Sequence, residues 1–246
     1  MQTTINIEYA HEILTRSNSL LEQVGEIPHE FLRDKADNKI VHPLGLGFDV
    51  NRFLIIFDKI HLKKGCLLDY AFHHGGIGGE PLIYARKEDQ PRLSAEKYIK
   101  KYKGMRKPYL KEITIEISPE AFFQVAVFSQ VIHQFYLFWH AAYNDDQFIF
   151  NLPVLEWILE KISNKGSGYP RDFESEQKSD EIDSKNVNDL SLAPQVTIKE
   201  GGAEVKCVMF SEWKGLYYNT FLITWPDITV ENQEEIILPY DCGICF

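Results

Sequence analysis

The stretch QVTIKEGGAEVKCVMFSEWKGLYYNTFLITWP, residues 195–226, constrains the fold more than any other part of the chain. Runs of β-branched and aromatic residues lie either side of Gly201 and Gly202, the signature of an antiparallel hairpin. GLYYNTFLITWP and then EEIILPYDCGICF add further strands. A sheet of this kind has to be covered by helices or by a second sheet. With 246 residues and 44% hydrophobic content, the chain has enough apolar surface to build that core.

Helices to cover it are readable upstream. In EYAHEILTRSNSLLEQVG, the residues Ala10, Ile13, Leu14, Leu20, Leu21 and Val24 recur at helical spacing, and Gly25 supplies a stop. Pro28 opens a short helix through Leu32. SAEKYIKKYKG has a serine N-cap and a glycine stop. LPVLEWILEKI reads as a helix capped near Asn151, with Leu152, Leu155, Leu159 and Ile162 on its inner face. Two segments stay open between helix and strand: NRFLIIFDKIHL, and AFFQVAVFSQV after the helix-start signal Ser118-Pro119-Glu120. QFYLFWHAA is apolar on both alternating faces and reads as a central strand.

Residues 165–193 are polar and aperiodic, with seven acidic residues between Asp172 and Asp189. The expected organisation is therefore a helix-flanked sheet core over 1–164, an acidic linker over 165–193, and a β-meander over 194–246 packed on the same core. The fold class is α+β, with a mixed or antiparallel sheet flanked by helices and a C-terminal β-meander after the linker.

Charge narrows the partners. Thirty-six acidic against 26 basic residues give a net charge of −10, which opposes nucleic acid and anionic lipid and favours a basic protein partner. No apolar run approaches the roughly 18 residues that a membrane helix needs, and the N-terminus lacks the features of a signal peptide, so a cytoplasmic location is expected. Lys97, Lys100, Lys101, Lys103, Arg106, Lys107 and Lys111 form a local basic run interleaved with Tyr98, Tyr102 and Tyr109. Given the acidic total, it reads as a solvated helix face with its tyrosines packed inward.

The four cysteines are too few for a disulfide scaffold. Cys242 and Cys245 have C-x-x-C spacing, but the segment reads as a strand and no second ligand pair accompanies it, so neither metal nor cofactor is expected.

The glycine-rich stretch HHGGIGGEPLIYAR, residues 73–86, follows CLLDYAF and precedes a β-compatible run. It matches no phosphate-cradle motif, since no helix follows it. It reads as a β-hairpin whose long tip spans residues 74–80. Alternation puts Asp69 and His73 on one face and His74 on the other. Asp69, His73 and His140 are the candidate catalytic residues. Cys66 or Cys207 beside a histidine is a candidate nucleophile. His73, His74, Gly76, Gly78 and Arg86, with Trp139, Tyr143, Asn144 and Asp145 of WHAAYND, are the candidate ligand or partner contacts.

No G-x-S-x-G, H-E-x-x-H, zinc-deaminase or kinase-type motif occurs. The expected function is a non-catalytic protein-binding module of inhibitor, adaptor or immunity type with an acidic, aromatic-rich surface. The alternative is a small-molecule enzyme or ligand-binding domain, a hydrolase, with a histidine site near the glycine-rich hairpin.

Overall fold

The computed structural model describes residues 2–24, 47–75, 78–139, 146–164 and 190–240. The expected short helix at Pro28–Leu32, the segment 165–189, and Cys242 and Cys245 lie outside them. The fold is α+β, and every strand pairing among the described residues is antiparallel.

Its largest sheet is the C-terminal meander extended from upstream. β8 (Gln195–Lys199), β9 (Gly202–Ser211), β10 (Gly215–Thr224) and β11 (Val230–Pro239) pair in chain order. β1 (Gln2–Thr4) adds outside β8, and β7 (Gln147–Phe148) pairs with the far end of β9. Alternation along β9 sends Val205, Cys207 and Met209 to one face and Val208 and Phe210 to the other. Both faces are covered, as the mixed apolar pattern of the strand requires.

α1 (Ile7–Val24) and α4 (Pro119–Val131) cover the first face, and α5 (Leu152–Asn164) packs Leu155 and Ile158 on the second. In α5 the expected inner-face residue Leu152 is 63% exposed, while Ile158 is buried. The Asn151 side chain accepts the Val154 amide, so the first turn only begins to face the sheet.

α4 settles one open segment. Its β-branched and aromatic content suits a strand, but Ser118 caps it by accepting the Ala121 amide at 3.1 Å, and Pro119 and Glu120 fill the first turn. Residues 121–129 are all buried, which makes α4 a core helix apolar around its circumference. Buried Gln124 is satisfied at every atom: its amide nitrogen donates to the Tyr9 hydroxyl and to Asp58 Oδ1, each at 2.7 Å, and Oε1 accepts the Lys59 amide at 2.8 Å. The other open segment is mixed: a 3-10 turn (Val50–Arg52), the short helix α2 (Phe53–Ile56), then β2 (Ile60–Leu62) paired with β5 (Ile113–Ile115).

The described part of QFYLFWHAA, residues 134–139, is not a central strand. α4 runs into turns through residue 136, where Tyr136 takes φ 55°, and among these described residues only β6 (Phe138–Trp139) is extended. Two-sided apolarity there reports burial rather than extension: Phe135 is sandwiched edge-on against Tyr70 and Tyr136.

β3 (Cys66–Gly75) and β4 (Gly78–Lys87) form the expected hairpin, but its strands are longer and its tip shorter than residues 74–80. Pairing continues to Gly75 opposite Gly78. Gly78 and Gly79 are buried, and β6 pairs against them. One hairpin face joins the main core through Leu68, Tyr70 and Ile83. The other packs Ala71 and Tyr84 on Ala95 and Tyr98 of α3 (Ala95–Lys101). The tyrosines of the basic run thus pack inward as expected, with Tyr109 fully buried.

Candidate functional site

The segment after α3 builds the site. Gly104, at φ 80°, reverses the chain, and Pro108 opens a 3-10 turn (Pro108–Glu112) that buries Tyr109 and Leu110. That anchor draws the neighbouring Lys107 away from solvent and against the last turn of α4. The Lys107 amine lies 3.2 Å from Ser129 Oγ and 3.5 Å from Gln130 Oε1. Burial lowers its pKa to about 8, and the adjacent Arg106 charge acts in the same direction.

His133, one turn beyond, completes a buried polar cluster. Its Nε2 lies 3.2 Å from the Tyr109 hydroxyl, and a ring N–H donates to the Pro81 carbonyl of β4. A neutral imidazole has one N–H, so Nε2 accepts the Tyr109 proton. Burial, reinforced by Lys107, pushes the His133 pKa down to about 4, and the Pro81 bond only partly offsets this. Burial raises the Tyr109 hydroxyl well above its usual range, which keeps it a donor. His133 is therefore a neutral structural link between α4 and the hairpin.

Lys107 opens onto a groove of about 780 Å³ that also meets Arg106, Lys111, Gln130, Asp146 and Glu231. One wall is the basic 104–111 segment and the other is the start of β11. Asp146 on that second side already accepts the Tyr217 hydroxyl at 2.9 Å and faces Lys214 at 3.8 Å.

The residues singled out from sequence fall elsewhere. Asp69 is buried in β3, where Oδ2 meets Arg86 Nε at 2.7 Å and Arg92 Nε at 3.2 Å. Arg86 also donates to the carbonyls of Lys87, Glu88 and Gln90. This carboxylate is neutralised and fixed, and the network shapes the turn after β4.

The strand does not bring Asp69 and His73 together: four residues of extended chain separate them by about 13 Å. His73 is half-buried opposite Glu80, with Nδ1 enclosed and unbonded. The backbones of His74 and Trp139 pair with Gly79 and Gly78. Gly76, His140, Tyr143, Asn144 and Asp145 lie outside the described residues.

Of the candidate thiols, Cys207 is buried and its pKa is raised by burial, while Cys66 sits beside Lys87 and Glu112 rather than a histidine. Among the described residues no cluster of His, Cys, Asp or Glu is arranged to hold a metal, and no helix is long and apolar enough to cross a membrane.

The chain matches no family model, no curated protein and no solved structure.

Sequence reasoning placed Lys107 with six other cations on a solvated face. The missed signal was local: a lysine immediately before Pro-Tyr-Leu is tethered to whatever that apolar turn buries.

Proposed function

We propose that this protein is a non-catalytic binding module that takes an extended, basic segment of a protein partner along β11. The observation carrying this reading is the edge itself. β11 is ten residues long, pairs with β10 throughout, and has no strand on its other side among the described residues. Six consecutive residues, Glu231–Ile236, are exposed. An open edge presents a row of backbone donors and acceptors to an added strand.

Charge selects the occupant. Glu231, Glu234 and Glu235 lie along the edge, and the chain as a whole carries −10. Lys206 meets Glu235 at 3.3 Å and Lys214 meets Glu234 at 2.7 Å, while Glu231 has no ionic partner among the described residues. A second copy is the poorer occupant, because antiparallel self-pairing would set these glutamates against one another. We assign the module to the cytosol, since Cys66 and Cys207 are both free thiols.

The test is recovery of a partner from native lysate by the wild-type protein and by the Glu231→Lys/Glu235→Lys variant, followed by hydrogen exchange on the purified complex. The expected result is a salt-sensitive partner that slows exchange along β11 and is lost to the variant. A partner bound equally by both proteins, with β11 exchange unchanged, overturns the reading.

A further inference from the structure

The groove beneath β11 holds a chemistry that strand addition does not use. Lys107 Nζ and the Ser129 hydroxyl, 3.2 Å apart, have the spacing of a serine activated by lysine. Solvent access decides which atom a ligand meets. Ser129 is fully buried and its hydroxyl donates to the Ala126 carbonyl at 2.9 Å, whereas Lys107 and Gln130 line the groove. Of the two side chains, Lys107 is the one that lines the groove.

Its surroundings suit attack on a carbonyl carbon. Ser129 and Gln130 place oxygen atoms beside Nζ, fixing the nitrogen at the groove wall. A desolvated lysine that loses its proton near pH 8 retains a lone pair where an exposed lysine does not. Arg106 and Lys111 flank it on the same wall, and neither has an acidic partner within 4.0 Å among the described residues. Across the groove, Asp146 is already engaged by Tyr217 and Lys214, while Glu231 at the start of β11 is the one groove carboxylate without an ionic partner among the described residues and opposes the two cations from the far wall. An anionic group entering here is drawn toward Arg106 and Lys111.

We propose that Lys107 captures a small oxo acid, a compound with an aldehyde or ketone next to a carboxylate, as a reversible imine in this groove. The amine lone pair forms a C–N bond as the carbonyl π bond breaks. One proton passes from nitrogen to the resulting alkoxide, giving a hydroxyl. A second proton, supplied by solvent, lets that hydroxyl leave as water while the nitrogen lone pair forms the C=N bond, and the nitrogen then returns its remaining proton to solvent. No oxidation or reduction occurs, and hydrolysis returns both reactants.

Glyoxylate is the probe, used on the full chain at pH 8 with cyanoborohydride as the external hydride donor that fixes the imine, and with labelled lysines located by peptide mass mapping. At that pH an ordinary lysine is less than about one per cent neutral and Lys107 about half. After allowing for the weaker intrinsic nucleophilicity of the less basic amine, the expected labelling rate at Lys107 is about tenfold that of any other lysine. In the Arg106→Ala/Lys111→Ala variant, both substitutions being at the surface, that preference should fall at least about threefold if the two charges hold the carboxylate. Even labelling across the lysines, or a preference undiminished in the double variant, overturns the proposal.

Discussion

A lysine drawn out of water with no carboxylate partner costs stability, and Lys107 is such a residue. Its partners are two uncharged oxygens rather than a carboxylate, so its charge is poorly compensated while it is protonated. Replacing it with an apolar side chain of similar length removes that cost and leaves the Ser129 hydroxyl bonded to Ala126. The Lys107→Met variant is expected to be more stable by about 1–3 kcal/mol at pH 7.

The sign of the pH dependence follows from the lowered pKa. Below about 8 both folded and unfolded chains carry the proton and the penalty is complete. Between about 8 and the ordinary lysine value of 10.5 the unfolded chain holds more protons, so wild-type stability rises relative to the variant. Denaturant melts of both proteins at pH 7 and pH 10 check this, and a gap that stays constant or widens contradicts it. None of this was legible in KGMRKPYLK, because a basic run specifies charge density and not which member a neighbouring turn pulls under the surface.

At the scale of elements, strand pairs separated by glycine turns were readable, and helices were readable where a cap accompanied the period. β8 and β9 meet at Gly201–Gly202 as expected, and α1 and α3 occupy the expected segments. The failures share a cause. In QFYLFWHAA and AFFQVAVFSQV the residues are apolar on both alternating faces, a pattern that a core helix, a turn and a central strand all satisfy, and it accompanies all-round burial only in the second. At HHGGIGG the glycines suggested a loose tip, whereas Gly78 and Gly79 are strand residues paired with β6.

Gly202 marks a close backbone approach at a testable position. A Cβ there would sit 1.9 Å from the Ile223 carbonyl oxygen, inside the β9–β10 pairing, although the position is not one of positive φ. The backbone of β10 would have to shift. Gly202→Ala is expected to cost about 2–3 kcal/mol in urea melts, against a few tenths for an alanine at exposed Gln233. Equal effects at both sites would mean that the turn end tolerates displacement.

For the whole molecule, the decisive pairings join distant parts of the chain. β1 pairs with β8 and β7 with β9, so strands on both sides of residues 165–189 share one sheet. The polar composition of that segment makes Arg171, Lys178 and Lys185 the expected first trypsin sites. The two fragments are then expected to co-elute on size exclusion under native conditions and to separate only in denaturant. Separation in native buffer would show that the shared sheet does not hold them. The candidate site had the same long-range character: β11, α4 and the 104–111 segment meet in one groove although they span more than 120 residues of sequence, which no local pattern predicts.

The all-round burial of α4 has a consequence for how the chain is made. Phe128 packs on Phe57 and Tyr109 and Phe123 on Tyr9 and Phe150, but the side of the helix that faces the large sheet lies against β8, β9 and β10, and those strands leave the ribosome only after residue 195. At a translation rate of about 5–20 residues per second, a nascent chain carries this half-covered helix for several seconds before the sheet exists to receive its other side. The protein therefore completes its core only near the end of synthesis, and a ribosome stalled between residues 131 and 195 displays a surface suited to chaperone capture.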